Sequence, residues 1–198
     1  LDVHRVFTTQ VAFNLVIAVD CFTDLQNFCV RELIDAAIEA LLSAKKPLIV
    51  CGGGVVVAGA MAELDHLASR LDIPVTTSIS GQGSLADTHP NCVGVVGSNG
   101  GTDETWEAME GADLVVFMGC RAGSTTTARW EAPAATTRVI HFDADPMVVG
   151  ANYEPEVGVV GDLLLALSQV NQALDKRDAK ASFAGAALVR DIKRRKFE

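Results

Sequence analysis

KKPLIVCGGGVVVAGAMAELDHLASRLDIPVTTS, residues 45–78, carries the decision about the fold. Leu48, Ile49, Val50 and Cys51 form a short unbroken apolar run, as expected of a strand buried on both faces, and Gly52, Gly53 and Gly54 stop it. Met61, Leu64, Ala68 and Leu71 then recur at helical spacing, and after a break at Asp72 the residues 73–77 read as the next strand. Strand, helix and strand in this order call for a parallel pair joined by a right-handed crossover.

The same rhythm extends to both sides. Upstream, Leu33, Ile34, Ala37, Ile38, Leu41 and Leu42 lie on one face of a helix running from Arg31 to about Lys45, with Glu32, Asp35 and Glu39 on the others. Downstream, residues 78–101 hold Gly81, Gly83, Gly94, Gly97 and Pro90, a long loop region with one short strand at 92–96. A helix over 102–111, a buried strand at 114–118, a strand at 138–142 ending in Asp143, a short strand at 157–160 and a closing helix over 163–174 complete the alternation. The expectation is a doubly wound α/β domain with a mainly parallel sheet of about six strands and helices on both faces. Residues 1–30 fit this scheme least, with only 15–19 strand-like. Beyond Asp175, Phe183, Ala187, Leu188 and Ile192 could form a helix whose partner lies outside the chain.

The 198 residues suffice for one domain, and 49% hydrophobic against 21% charged residues excludes a disordered chain. A net charge of −9 argues against nucleic acid as a partner. The basic run Lys193, Arg194, Arg195, Lys196 reads as a solvated helix end or linker. The five cysteines are odd in number and form no CxxC pair, which fits neither a disulfide framework nor a zinc site and suits a reducing cytoplasm. The longest apolar stretch, 47–61, is interrupted by glycines and falls short of the ~18 residues that span a bilayer, so no membrane partner is expected. The opening LDVHRVFTTQ lacks both an initiator Met and a signal pattern, as if the chain began inside a longer protein.

Candidate chemistry gathers where strands end. Gly52, Gly53 and Gly54 follow a buried strand and precede a helix, the place where backbone amides can approach a pyrophosphate; tight strand-to-helix packing explains them equally well. The dinucleotide fingerprint G-x-G-x-x-G is not met, because position 57 is Val. Asp143 at a strand end is placed to accept hydrogen bonds from a ribose, and Arg121 to pair with a phosphate. Asp145, with Pro146 behind it, reads as a helix cap. His141 reads as a satisfied core histidine, and Cys51 and Cys120 as small buried hydrophobes. No complete active site and no metal-ligand spacing emerge.

Five runs in order, KKPLIVCGGG (45–54), IPVTTSISGQGSLADTHPNCVGVVGSNG (73–100), ADLVVFMGCR (112–121), RVIHFDADP (138–146) and NYEPEVGVVGD (152–162), resemble the central domain of thiamine-diphosphate-dependent enzymes, most closely the acetolactate synthase large (catalytic) subunit family. The resemblance implies a Rossmann-like, DHS-like nucleotide-binding fold over residues 31–175. It makes 1–30 a connecting segment from an N-terminal domain and 176–198 a linker toward a C-terminal one. It places thiamine diphosphate and Mg2+ in those outer domains, with decarboxylation of 2-oxo acids and acyl transfer in a full-length homo-oligomer, and no catalysis in this chain alone. Gly161 and Asp162 resemble the central domain's own closing VGD rather than the family's GDG metal motif.

In some relatives the central domain holds FAD or ADP. Carried over by motif, that ligand would touch Gly52, Gly53, Gly54, Ser78, Ile79, Gly97, Ser98, Asn99, Gly100, Gly119, Arg121, Asp143, Ala144 and Asp162. The FAD-binding synthases carry an acidic pair and a second Arg after the GxR motif, where this sequence has Ala122, Gly123 and Ser124. The resemblance therefore admits FAD, ADP or no nucleotide. A stand-alone adenine-nucleotide-binding or regulatory module of the same fold is the alternative.

Overall fold

A computed structural model describes residues 18–19, 24–178 and 183–197, with side chains placed over 31–178 and 183–196. The strands are β1 (Ala18–Val19), β2 (Pro47–Cys51), β3 (Val75–Thr77), β4 (Cys92–Val95), β5 (Leu114–Met118), β6 (Arg138–Asp143) and β7 (Val157–Gly161). The helices are α1 (Asp24–Ser43), α2 (Gly53–Val57), α3 (Met61–Leu71), α4 (Asp103–Glu110), α5 (Leu163–Lys176) and α6 (Gly185–Phe197). All strand pairs are parallel, in the order β1-β7-β6-β5-β2-β3-β4. The six strands expected from sequence are β2 to β7, and β1 adds a two-residue edge. Residues 15–17 of the expected first strand, and most of the segment 1–30, lie outside the described residues.

Period-two alternation splits each central strand between two cores. Ile49 and Cys51 of β2, with Leu114, Val116 and Met118 of β5, face α1, α3 and α5. Leu48 and Val50, with Val115 and Phe117, face the opposite side, where Met109, Val189 and Ile192 cover them. Both faces are therefore closed, which is why β2 and β5 are buried at every position and carry no polar residue. Among the described residues no helix is long and apolar enough to cross a membrane.

Three local readings change. Helix α1 begins at Asp24, earlier than the apolar period indicates. Asp145 does not cap a helix: its carboxylate accepts from the Met147 amide at 2.8 Å within a turn that returns at Gly150, whose φ is 79°. The helix after Asp175 finds its partner inside the chain. α6 lies on β4 and α4, with Val189 and Ile192 buried. Its start is held from across the domain, since the Asp72 carboxylate accepts from the Ala186 amide at 2.9 Å and from Asn91 at 2.8 Å, and the Gly185 amide donates to the Asp72 carbonyl at 2.7 Å.

Replacing Ile192 by Ala should cost about 2–5 kcal/mol, the range for truncating a buried aliphatic side chain. Urea unfolding monitored by circular dichroism measures it, and an unchanged midpoint would mean that α6 contributes nothing to the fold.

Candidate functional site

Strand β2 feeds β3 and β4 on one side, and the chain then returns to place β5, β6 and β7 on the other. The order reverses between β2 and β5, and an open α/β sheet offers a crevice beyond the carboxyl ends at that point. The registers Cys51↔Met118, Met118↔Phe142 and Cys51↔Thr77 then set Gly52, Gly119, Asp143 and Ser78 side by side at the ends of four adjacent strands.

The glycines at the reversal are engaged with each other. The Gly52 amide donates to Met118 O at 2.9 Å and the Gly54 amide to Gly119 O at 3.0 Å. A Cβ on Gly52 would overlap Gly119 O, and one on Gly54 would come within 2.6 Å of the Gly119 Cα. Gly119 itself has φ +54°, a left-handed conformation that side chains resist. Close backbone packing thus accounts for Gly52 and Gly54 in full. Gly53 is freer, its absent Cβ facing Ser80 O at 3.1 Å.

Around this centre the remaining positions divide. The amide of buried Ser78 donates to Cys51 O at 2.8 Å, and Ile79 opens the 3-10 turn Ile79–Gly81 with its side chain 49% exposed. Gly97, Ser98, Asn99 and Gly100 form the β4–α4 loop at the far end of the sheet, reached by the β5–β6 loop through Ser98 N to Thr125 O at 2.8 Å. Ala144 is exposed, and the Asp143 carboxylate accepts from the Asp145 amide at 3.0 Å. Asp162 caps α5, accepting from the Leu165 amide at 2.9 Å. The Arg121 side chain is exposed, and among the described residues no hydrogen bond or ion pair to its guanidinium is found.

Two supporting residues were outside the sequence-derived set. Asn152 donates to the Arg121 carbonyl at 2.9 Å, tying the β5–β6 loop to the segment before β7. His141 does the same from within β6: its Nδ1 accepts from the Gly150 amide at 3.4 Å, so Nε2 carries the proton and donates to Cys120 O at 2.9 Å. Burial lowers the His141 pKa and holds the ring neutral. Burial also pushes the Cys120 thiol up to about 11 and the Cys51 thiol well above its usual value, so neither is a thiolate near neutral pH. Among the described residues no three His, Cys, Asp or Glu side chains converge to hold a metal ion. The opposite edge of the sheet carries a groove of about 320 Å³ beside Arg138, Tyr153 and Glu156, where the Arg138 guanidinium makes two hydrogen bonds to the Glu156 carboxylate, at 2.7 and 3.0 Å.

Comparison with known proteins adds a family. The profile of the thiamine pyrophosphate enzyme central domain matches residues 34–170. A probable acetolactate synthase large subunit of Methanococcus aeolicus is 37% identical over 142 residues, covering 72% of this chain and 24% of the relative. An acetolactate synthase of Arthrospira platensis is 36% identical, covering 70% and 24%. Acetolactate synthase isozyme 3 large subunit of Escherichia coli is 31% identical, covering 74% and 25%. The chain spans about a quarter of the length of these relatives.

Two alanine substitutions separate conformational strain from close approach. Gly83 has φ +87° with nothing near its absent Cβ, so Gly83→Ala should cost only the left-handed penalty, about 1–2 kcal/mol. Gly119→Ala adds a Cβ 2.7 Å from the Gly54 Cα and should exceed about 3 kcal/mol. Equal costs in denaturant unfolding would refute the packing account of the glycine centre.

Proposed function

The chain belongs to the thiamine pyrophosphate enzymes as their central domain, and from that premise we propose that it serves, without chemistry of its own, as the middle of an acetolactate synthase-like enzyme. That enzyme would decarboxylate a 2-oxo acid and transfer the acyl unit, working as a homo-oligomer. The observation that carries this reading is the match over residues 34–170, joined to relatives about four times as long. Thiamine diphosphate supplies the carbanion chemistry in such enzymes. The described residues do not fit its diphosphate and Mg2+, having no converging metal ligands, and no step is assigned to them. What this chain supplies is a stiff, doubly covered sheet that fixes the spacing of whatever packs on its edges.

A nucleotide, FAD or ADP, is the ligand proposed for the carboxyl edge. Its support is local: Arg121 offers an exposed cation and Asp143 has oxygen capacity beyond its one intraloop bond. Gly52, Gly54 and Asp162 would shape the edge rather than touch the ligand, because packing and capping already engage them.

The purified chain supplied with thiamine diphosphate, Mg2+ and pyruvate should release no carbon dioxide, whereas the complete polypeptide that carries it should turn over a 2-oxo acid at about 1 s⁻¹ or faster. Release by the chain alone, or none by the complete polypeptide across a panel of 2-oxo acids, would sink the reading. For the nucleotide, calorimetric titration of ADP and FAD should show binding that Asp143→Ala weakens by about 1–3 kcal/mol, roughly fivefold to more than a hundredfold. Binding indifferent to the substitution removes Asp143 from the site, and no binding by the unaltered chain removes the nucleotide.

A further inference from the structure

The basic run Lys193, Arg194, Arg195, Lys196 has no part in the function proposed above. It forms the end of α6, which carries five basic residues and one acidic one. The helix beside it, α4, carries Asp103, Glu104, Glu107 and Glu110 and no basic residue. Opposite charge therefore meets across this helix pair. Arg195 donates to the Glu107 carboxylate at 2.6 Å, and Lys193 donates at 3.1 Å to the carbonyl of Asp87, in the loop before β4.

The two ends of α6 are held by different physics. At its start the fit is steric: a Cβ on Gly185 would come within 2.6 Å of the Asp72 carbonyl oxygen and of the Asn91 side chain, and the Gly185 amide donates to that same carbonyl. Toward its end the holding groups lie at the surface, with Glu107 59% exposed and Arg195 34%. Such pairs are individually weak and are screened by salt. Among the described side chains of α6 only Val189 and Ile192 are buried, whereas β2 and β5 are buried at every position. An element anchored by few apolar groups opens at a lower free energy than the core does.

What α6 covers is defined. Val93 of β4, Val96 just after it and Met109 of α4 cluster with Val189 and Ile192. β4 and α4 flank residues 96–102, so a helix packed on both spans the two ends of the loop that holds Gly97, Ser98, Asn99 and Gly100.

We propose that α6 is a charge-held clasp: hinged at Gly185 and closed by its basic run on the acidic α4, it opens as a unit when that attraction is screened, releasing β4, α4 and the loop between them. The proposal stands on the packing of this chain and is independent of the family and of any nucleotide. In the open state the loop keeps the bond from the Ser98 amide to Thr125 O but loses the strut behind it.

Hydrogen–deuterium exchange of the 198-residue chain at about 0.05 M and about 0.5 M KCl tests this. Amides of 189–195 should exchange together, at least about a hundredfold faster than those of β2 and β5. The higher salt should speed them and the α4 amides by about fivefold or more and leave β2 and β5 unchanged. Glu104→Gln with Glu107→Gln should give the fast exchange already at low salt and remove the salt effect. Asp175→Asn, which breaks the ion pair of Arg70 with α5, should preserve it. Exchange of α6 as slow as that of β2 and β5 overturns the proposal, as does opening indifferent to salt. Acceleration confined to 194–197 is end fraying and overturns it equally.

Discussion

The passage of the Gly52–Gly54 turn against Gly119 is the constraint on which the rest of the domain depends. β2 and β5 are adjacent inner strands, and beyond their ends the chain departs in opposite directions. The two exits cross within van der Waals contact of each other's backbone, close enough that the Gly54 and Gly119 amide groups hydrogen-bond directly. A side chain at any of the three contact positions would push α2 away from the sheet and β5's exit away from β6. The position of α3, which follows α2 at once, is set by the same contact. Gly81 extends it, since a Cβ there would overlap Cys51 O.

The polar groups of this edge are mostly in service of the fold. Asp143 and Asp145 each accept an amide of their own loop, Asp162 caps α5, and both ring nitrogens of His141 are occupied by backbone groups. The two buried thiols nearest the centre are held protonated by burial. His141 has both ring nitrogens occupied and the two thiols are protonated, so none of these three is placed to act as nucleophile or base, while each aspartate keeps acceptor capacity beyond its one backbone bond.

Much of the fold was legible because burial on both faces writes itself plainly: LIVC and LVVFM leave no room for a solvent side, and both are central strands. What escaped was encoded by contacts distant in sequence. α6 presents only Val189 and Ile192 to the core among many basic residues, so its docking could not be told from a linker; the decisive partners, Asp72 and Asn91, lie about a hundred residues earlier. Asp145 followed by Pro carries the same signature for a turn as for a helix start, and the left-handed Gly150 decides for the turn. For the site, the sequence placed the GGG turn, Gly119, Arg121 and Asp143 on one edge, as the strand registers do. It could not divide the glycines between ligand and packing, because that depends on how near Gly119 comes.

The two edges of the sheet therefore differ for a reason that joins fold to role. In a parallel sheet every strand exits at the same side, so all loop variation and all unpaired functional groups collect there, while the entry side is bounded by short connections. Here the entry side carries Asp113 on two lysine amides and the Arg138–Glu156 pair beside its groove. The exit side keeps Arg121 open and turns Val57 and Met147 outward, although burying each would be worth about 1.5–3 kcal/mol. Among the described residues the chain's own core leaves Val57 and Met147 uncovered just past the ends of β2 and β6, and that placement gives the domain a direction.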